Sequence, residues 1–318
     1  MTVAVVIVTF NRLNKLKQAY KKIRIQNPAE IIIVNNASTD GTKAWLNRID
    51  DNILRVINLE ENVGGAGGFY TGFKLAIENS AVKWILCYDD DAYPADNLLD
   101  KFSGVEPRLP ENTGSVAAAV YLPQGMISQM NRPSYNPFGS FMRVVNTLLK
   151  GYKGFHLTDD DYSKAGAFID IDASSFVGCF INISCIRNGI ISFPRKELFI
   201  YGDDILYTYS IREAGCRNLF IPELVFYHDC QTLINQRKHY DPLWKAYYTY
   251  RNGLELYRHF AKRMFPFVAI VKVIGWLWAG RCYQDNFIKY IDCTGLAILD
   301  GFRRNYSRSH AYILERFS

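Results

Sequence analysis

The sequence predicts an α/β fold: a mostly parallel sheet flanked by helices, followed by a helical C-terminal section. Three short runs of β-branched and other apolar residues, at 3–8, 30–34 and 83–88, are typical of strands that are buried on both faces. Segments with helical spacing separate these runs, and this alternation indicates βαβ units. Ligands of such sheets bind at the carboxyl ends of the strands, where the unusual residues of this sequence also lie.

The remaining elements follow from local patterns. Residues 123–166 mix Pro, Gly, Ser, Asn and aromatic residues without a period, which predicts long loops with short elements. From residue 241 onward, aromatic and basic residues recur at helical spacing. We therefore divide the chain into an α/β domain, 1–240, and a helical C-terminal section, 241–318. The other predicted elements are helices over 13–25, 42–49, 70–79 and 203–214, strands over 54–59 and 218–227, and strand-like sequence over 167–185.

Composition and charge exclude several classes of protein. The 318 residues are 49% hydrophobic and 21% charged, which is a globular composition and excludes a disordered chain, a collagen and a coiled coil. The net charge of +6 arises in residues 237–318, where 14 Lys and Arg outnumber 6 Asp and Glu. This basic end predicts an anionic partner. We find no nucleic-acid-binding motif and expect no nucleic acid among the partners.

Cysteine usage and the first residues bear on location. The seven cysteines are scattered and form no CxxC motif, which argues against a disulfide framework or zinc site and for a reducing compartment. Residues 1–5 lead directly into the first strand and do not resemble a signal peptide. The longest apolar stretch, 264–280, contains a lysine and is marginal against the roughly 20 residues that span a bilayer. We predict a cytoplasmic protein, with peripheral attachment to the inner face of the cytoplasmic membrane as the open alternative.

Three consecutive carboxylates, Asp89, Asp90 and Asp91, follow the predicted strand 83–88. In extended chain, residues i and i+2 point the same way, so Asp89 and Asp91 can face one site while Asp90 faces elsewhere. Adjacent carboxylates repel, and a divalent cation such as Mg²⁺ or Mn²⁺, bridging to a diphosphate, would compensate their charge. The alternative is a solvated acidic turn that caps the next helix.

A glycine-rich run, from Asn62 to Gly68, precedes the predicted helix 70–79. Free backbone N–H groups and close approach just before a helix suit a phosphate or nucleotide. The run lacks the Gly-Lys-Ser/Thr sequence of a P-loop. A flexible turn is the alternative interpretation.

Aromatic and polar residues follow the first two strands. Phe10 could stack on a base and Arg12 could pair with a phosphate. The alternative is a helix N-terminus, with Thr9 among the candidate caps. Asn35 and Asn36 end the second strand, where a ribose or base edge would lie, and their alternative role is a turn.

Two further places could carry chemistry. Asp203 and Asp204 open a predicted helix, whose dipole would keep a carboxylate ionised as a general base requires. Simple N-capping is the alternative. His228 follows a predicted strand and is either a metal ligand, a phosphate donor or a packed core residue. Arg251 lies in an aromatic helical stripe, most of which we expect to be core, and is a candidate for an anionic contact.

Taken together, these segments resemble the inverting family 2 glycosyltransferases of the GT-A fold, in the same order and over residues 3–255. The glycine run, the triple aspartate followed by alanine, the histidine after the last strand and the Tyr-Tyr-x-x-Arg-Asn segment are most similar to the galactofuranosyltransferase and rhamnosyltransferase branch. The matching segments are VIVTFNR (6–12), VNNASTDGT (34–42), ENVGGAGGF (61–69), DDDA (89–92) and FIYGDD (199–204).

The resemblance implies a UDP- or dTDP-linked sugar donor that lies across the strand ends. It implies that Asp91 and His228 bind Mn²⁺ or Mg²⁺, that Asp204 is the base and that Asp203 is a supporting acid. The resemblance and the patterns above assign eight residues to the nucleotide end of the donor: Thr9, Phe10, Arg12, Asn35, Asn62, Gly64, Asp89 and Asp90.

The implied activity is metal-dependent, inverting transfer of a sugar to a hydroxyl of a cell-surface polysaccharide or a lipid-linked glycan. The expected donor is UDP-galactofuranose, with dTDP-rhamnose as the alternative. A nucleotidyltransferase and a non-catalytic sugar-nucleotide binder stay open as different classes. The first would need a basic triphosphate loop near the first strand, where only Arg12 and Lys15 are candidates, and the second would not need Asp204.

The C-terminal section combines basic and aromatic residues. This combination suits an interfacial amphipathic helix at an anionic leaflet and fits a lipid-linked acceptor. A helical subdomain or an interface between copies of the chain is the alternative. The residues concerned are Arg258, Lys262, Arg263, Phe265, Phe267, Trp276, Trp278 and Arg281.

Overall fold

The computed structural model describes residues 2–230 and 240–318. In this part of the chain, nine strands form one mixed sheet. They are β1 (Val3–Thr9), β2 (Glu30–Asn35), β3 (Leu54–Asn58), β4 (Trp84–Asp89), β5 (Ala92–Pro94), β6 (Thr113–Tyr121), β7 (Ile169–Ile171), β8 (Cys179–Asn182) and β9 (Arg217–His228). Their order is β3-β2-β1-β4-β8-β6-β9-β5, and β7 also pairs with β9.

Helices flank this sheet, and the last four helices form the C-terminal section after it. The first eight are α1 (Leu13–Arg24), α2 (Thr42–Leu46), α3 (Gly64–Ala76), α4 (Leu98–Val105), α5 (Phe141–Lys150), α6 (Asp159–Tyr162), α7 (Ile183–Arg187) and α8 (Asp203–Glu213). The last four are α9 (Trp244–Ala261), α10 (Phe265–Ala279), α11 (Phe287–Arg303) and α12 (His310–Phe317).

The predicted α/β class is confirmed. Strands β1 to β4 pair in parallel, as do β6 and β9, whereas β5, β7 and β8 are antiparallel to their neighbours. Alternate residues of β1 enter two apolar layers. Val5 and Ile7 pack in the layer that contains α1, and Val6 and Val8 pack in the layer that contains α3. Both faces of β1 are therefore buried, which explains its unbroken apolar sequence.

Helix α3 begins at Gly64, six residues before the predicted start of this helix. The glycine-rich run is therefore mostly helix and not a loop ahead of one. The glycines of α3 allow this helix to approach the sheet closely. A Cβ atom on Gly72 would lie 2.3 Å from Cγ1 of Val6, and one on Gly68 would lie 2.5 Å from Cγ1 of Val8. Gly64 has a φ of +75°, and its Cβ would lie 2.1 Å from the carbonyl oxygen of Phe199.

Several middle elements differ from the sequence predictions. The segment 123–166, predicted to form long loops with short elements, contains α5, a helix of ten residues whose apolar side chains recur at helical spacing although none of its residues is buried. The segment 167–185 holds only the short strands β7 and β8 before it enters α7, which Asn182 caps by accepting a hydrogen bond from the Ser184 N–H. Helix α4 and strand β6 have no counterpart among the predictions.

The C-terminal section is helical, as predicted. The aromatic stripe of α9 is core: Tyr247, Tyr248 and Tyr250 are buried against residues of α11 and α12. The expectation of an anionic contact for Arg251 is wrong. Its side chain is 1% exposed, donates to the carbonyl oxygen of Leu198 at 2.8 Å and lies against tyrosine rings.

Helix α9 is also tied to the turn that leads into α8. Asn252 donates to the carbonyl oxygens of Ile200 (2.8 Å) and Tyr201 (2.9 Å). Glu255, one turn further along, is fully buried and accepts from Arg195 and Arg304, each at 2.6 Å. Burial alone would raise the pKa of Glu255, but its cationic partners outweigh this and hold the pKa well below its usual range.

Close packing of α3 on β1 predicts opposite effects for two glycines of the same helix. Gly72→Ala should lower the free energy of unfolding by about 1–3 kcal/mol, because the new methyl group would overlap Val6 in a packed core. Gly65→Ala is the matched control, since no atom lies within 4 Å of its Cβ position. The control should leave stability unchanged or raise it by up to about 1 kcal/mol. Urea unfolding measures both, and equal values for the two variants would contradict the packing role.

Candidate active site

The sheet brings three distant segments to one edge. Val8 of β1 is in register with Asp89 of β4, so the residues that follow both strands emerge side by side. His228, the last residue of β9, pairs with Ala92 of β5, directly after the three aspartates. We refer to Arg12, Asp89, Asp90, Asp91 and His228 as the strand-end site.

Asp90 holds the turn after β1. Its carboxylate accepts a hydrogen bond from the Thr9 hydroxyl at 2.7 Å and another from the Phe10 N–H at 3.2 Å. Burial raises the pKa of Asp90 to about 6, although Arg12 and the Thr9 hydroxyl act in the opposite direction. Thr9 and Asp90 therefore fix the backbone that presents Phe10 and Arg12, whose side chains are about half exposed.

Asp91 is held between two cationic groups. One carboxylate oxygen contacts the Arg12 guanidinium, and the other lies 3.1 Å from Nε2 of His228. Burial would raise the pKa of Asp91, but His228 and Arg12 together lower it below its ordinary value. Burial would likewise lower the pKa of His228, and the contact with Asp91 reverses this and raises it to about 10. Asp91 and His228 are thus in direct contact, with Arg12 on the far side of the carboxylate.

A third residue, Asn131, orients His228 and was not found from the sequence. Its Oδ1 lies 2.7 Å from Nδ1 of His228 and also accepts from the Ser128 hydroxyl, while its Nδ2 donates to the Ser175 hydroxyl. With its amide fixed in this way, Asn131 accepts the Nδ1 hydrogen of His228. Asn131 lies in the aperiodic segment 123–166, where a lone asparagine carries no signal of its own.

The donor set at this edge fits a hard divalent cation. Because Nδ1 of His228 is engaged with Asn131, neutral His228 points a lone pair at Asp91, and only a proton or a cation can bridge the two acceptors. Across residues 2–230 and 240–318, no group of three or more His, Cys, Asp or Glu side chains is arranged to hold a metal ion. Two protein ligands suffice where diphosphate oxygens and water complete the shell.

The two acids of α8 interact electrostatically with Asp89 of the strand-end site. Asp204 accepts from the Ile205 N–H at 2.7 Å, and burial raises its pKa against the effect of such backbone hydrogen bonds. Burial, then the charges of Asp91 and Asp90, raise the pKa of Asp89 to about 7, and Asp204 acts in the same direction. Asp204 therefore lies within electrostatic range of the strand-end site.

Asp203 is the more deeply buried member of the pair. Burial and the neighbouring Asp204 raise its pKa well above the ordinary value. Its side chain also lines a cavity together with Ser192, Arg195 and His259. The two acids thus differ: Asp203 is the more easily protonated, and backbone hydrogen bonds favour the ionised form of Asp204.

Asn35, Asn62 and Gly64, which are predicted to bind the nucleotide, form hydrogen bonds with other residues of the protein. The side chain of Asn35 donates to Asn58 at 2.7 Å and accepts from the Ser38 N–H. Asn62 accepts from Asn36 and from the N–H of Gly64, each at 2.9 Å. Their hydrogen bonds hold the β2 turn and the start of α3 together, and their part in donor binding stays a prediction.

Comparison with known proteins identifies the family. Residues 4–170 match the family model described as Glycosyl transferase family 2. The match covers more than half of the chain, and the chain belongs to this family. A search of curated proteins finds no match.

Solved structures share the fold at low sequence identity. GalNAc-T7, crystallised with UDP, GalNAc and Mn²⁺, aligns with a TM-score of 0.55 and 16% identity over 75% of this chain, which spans 45% of that structure's length. Residues 1–349 of S. aureus TarS in complex with UDP-GlcNAc align with a TM-score of 0.52 and 15% identity, covering 96% of this chain and 88% of that one. The fold is GT-A, and by family and fold the chain is a glycosyltransferase.

Proposed function

We propose that the chain transfers a sugar from a UDP- or dTDP-linked donor to a hydroxyl of a glycan acceptor, with inversion at the anomeric carbon. The observation that carries this proposal is the meeting of Asp91, His228 and Arg12 at the strand ends, beside Asp89, whose pKa the charge of Asp204 helps to raise. Such a site can hold a diphosphate on one side and remove a proton on the other. UDP is named with both GalNAc-T7 and TarS, which supports a nucleotide donor.

The exposed groups at the end of β1 suit the two ends of a nucleotide. The Phe10 ring is 42% exposed and can stack on the base. The Arg12 guanidinium, held beside Asp91, can pair with a diphosphate oxygen. Asp89 then faces the ribose and diphosphate.

The donor set of Asp91 and His228 suits Mn²⁺ or Mg²⁺. When bound, the ion would neutralise negative charge on the departing diphosphate. Asp91 and His228 would hold it, Asn131 would keep His228 in the tautomer that binds metal, and Arg12 would add a second positive charge. Mn²⁺ in the GalNAc-T7 structure supports this assignment.

Asp204 is the proposed base. It takes the proton of the acceptor hydroxyl as that oxygen forms a bond to the anomeric carbon and the bond from that carbon to the diphosphate breaks. Attack from the face opposite the leaving group inverts the configuration. Asp203 is more easily protonated. In its neutral form it does not repel the charge of Asp204, and it does not itself act as the base.

The sugar and the acceptor belong to the same proposal. We assign UDP-galactofuranose as the donor, with dTDP-rhamnose as the alternative, and a cell-surface polysaccharide or lipid-linked glycan as the acceptor. The proposed location is the cytoplasm or the inner face of its membrane, with residues 241–318 as the section that makes the contact. The carboxylates of α8 favour transfer over simple binding of a sugar nucleotide, because a binding protein does not need a base.

The donor is tested directly with a panel of UDP- and dTDP-linked sugars in the presence of Mn²⁺. We expect slow hydrolysis of UDP-galactofuranose, because glycosyltransferases can transfer to water when the acceptor is absent. Faster hydrolysis of dTDP-rhamnose would select the alternative donor. Release of pyrophosphate from a nucleoside triphosphate, with no hydrolysis of any sugar nucleotide, would favour a nucleotidyltransferase.

Replacement of the proposed base should separate transfer from binding. Asp204→Asn is expected to reduce kcat at least about 100-fold, because a positioned base contributes roughly 10²–10⁴ in rate, while donor affinity changes little. Asp203→Asn is the matched control in the same turn and should lose less than tenfold. Burial raises the pKa of Asp204, and a base must be ionised to act. The value of kcat should therefore rise with pH, and the apparent pKa of this rise should lie above the pKa of an ordinary aspartate. A larger loss in Asp203→Asn than in Asp204→Asn would reverse the roles.

The metal assignment predicts a selective loss of Mn²⁺ binding. Asp91→Ala should abolish binding of Mn²⁺ in the presence of UDP, measured as free Mn²⁺ by electron paramagnetic resonance, and should abolish transfer. Asp96→Ala removes an exposed carboxylate that pairs with Lys22, and this variant should bind Mn²⁺ as the wild type does. A wild-type enzyme that keeps full activity in EDTA would contradict the assignment.

A further inference from the structure

Two helices expose apolar side chains on the described surface. No residue of α5 is buried, and Phe141, Leu148 and Leu149 are each more than three-quarters exposed. Helix α10 buries only Phe265 and Ala269. Its exposed apolar residues are Phe267, Ile270, Val271, Ile274, Leu277 and Trp278.

In both helices these side chains share one face. The exposed residues of α10 recur at intervals of three and four, which is the spacing of a single helical stripe. In α5, Phe141, Leu148 and Leu149 follow the same rule, and Tyr152 extends the stripe just beyond the helix. A stripe of this kind is normally buried, but among residues 2–230 and 240–318 no segment covers either stripe.

The two helices start from a common junction. Asn136, five residues before α5, donates to the carbonyl oxygen of Phe260 at 3.1 Å and to the Tyr209 hydroxyl at 2.9 Å. Phe260 lies five residues before α10, and its ring packs edge-on against Tyr209 with centroids 4.3 Å apart. Helices α5 and α10 therefore begin close to one another.

Charge identifies what can cover these stripes. Residues 137–158 and 256–284 contain no Asp or Glu, but they hold eight Lys and Arg. Arg281 lies over the Trp278 ring and Lys272 over the Tyr257 ring, so cations border the α10 stripe. An apolar stripe with basic borders complements an anionic lipid surface. A symmetric contact with a second copy would instead place like charges against each other.

The lengths of the helices favour a position on the bilayer and not across it. By length and composition alone, the helical stretch Trp244–Arg303 contains one segment apolar enough to cross a membrane, with 17% of it buried. That stretch is interrupted by positive φ angles at Lys262 and Gln284. Helix α10 itself has 15 residues, about 22 Å, against a hydrocarbon core of about 30 Å.

We propose that α5 and α10 together form one membrane-binding face that lies on an anionic leaflet. The face thus extends beyond the C-terminal section to a helix of the α/β region. Asn131, which orients His228, lies only ten residues before Phe141, so the same segment links the lipid surface to the strand-end site. Resting on the proposed function, this arrangement suits an acceptor whose glycan is attached to a lipid.

The test is sedimentation of the full chain with lipid vesicles. We expect binding to phosphatidylcholine vesicles that contain about 30 mol% phosphatidylglycerol, weak binding to phosphatidylcholine alone, and weaker binding at high salt. The double variants Leu148→Glu/Leu149→Glu and Ile270→Glu/Ile274→Glu should each lower the partition coefficient at least about tenfold. Ile25→Glu, an exposed apolar residue just after α1, is the matched control and should bind as the wild type does.

Two readouts keep this result separate from folding and from the proposed chemistry. All three variants should keep the wild-type melting temperature and the wild-type rate of donor hydrolysis, because the substituted side chains are exposed and lie outside the strand-end site. Unchanged vesicle binding in the α5 variant would overturn the joint face, as would a wild-type chain that ignores anionic vesicles. A wild-type dimer that both double variants dissociate would assign the face to contact between copies.

Discussion

The rest of the site depends on the ionic contacts of Arg12 and His228 with the Asp91 carboxylate. Three acids in a row at a buried strand end repel one another, and each would otherwise take up a proton. The two cationic groups keep Asp91 ionised, and they come from the ends of strands that are more than 200 residues apart in sequence. The sheet must therefore be assembled before the charge pattern exists. Under the proposed function, a divalent ion would replace the proton between Asp91 and His228, and the diphosphate would pair with Arg12.

Most of the polar residues around the strand-end site form hydrogen bonds with other parts of the protein. Thr9 and Asp90 fix the turn after β1, and Asn36 and Asn62 fix the start of α3, whose glycines let it lie directly on β1. Their hydrogen bonds are made before any ligand arrives, so the cost of ordering these loops does not fall on binding. Phe10 and Arg12 are among the exposed residues of this edge. Under the proposed function, few exposed side chains would therefore decide which nucleotide binds.

The sequence predicts well what depends on periodicity. The buried strands β1, β2 and β4 and the polar residues at their ends were predictable because burial on both faces leaves an unbroken apolar run. Asn131 was not, because its role follows from the fold that carries it to His228. The glycines of α3 carried a real signal, but the start of the helix was predicted too late in the chain: most of them lie within α3, where close packing on β1 requires the absence of Cβ. The partner of Arg251 was predicted wrongly for a related reason. Arg251 donates to backbone carbonyl groups, and every residue has one, so the sequence does not indicate them.

The hydrogen bonds of Arg251, Asn252 and Glu255 have a consequence for how such proteins diversify. They join the C-terminal section, residues 241–318, to the turn that carries the two α8 acids. A recombination event, or an engineer, that exchanged the terminal helices for those of a relative would also disturb the turn that positions the acids. The terminal helices and the turn would therefore have to be exchanged together.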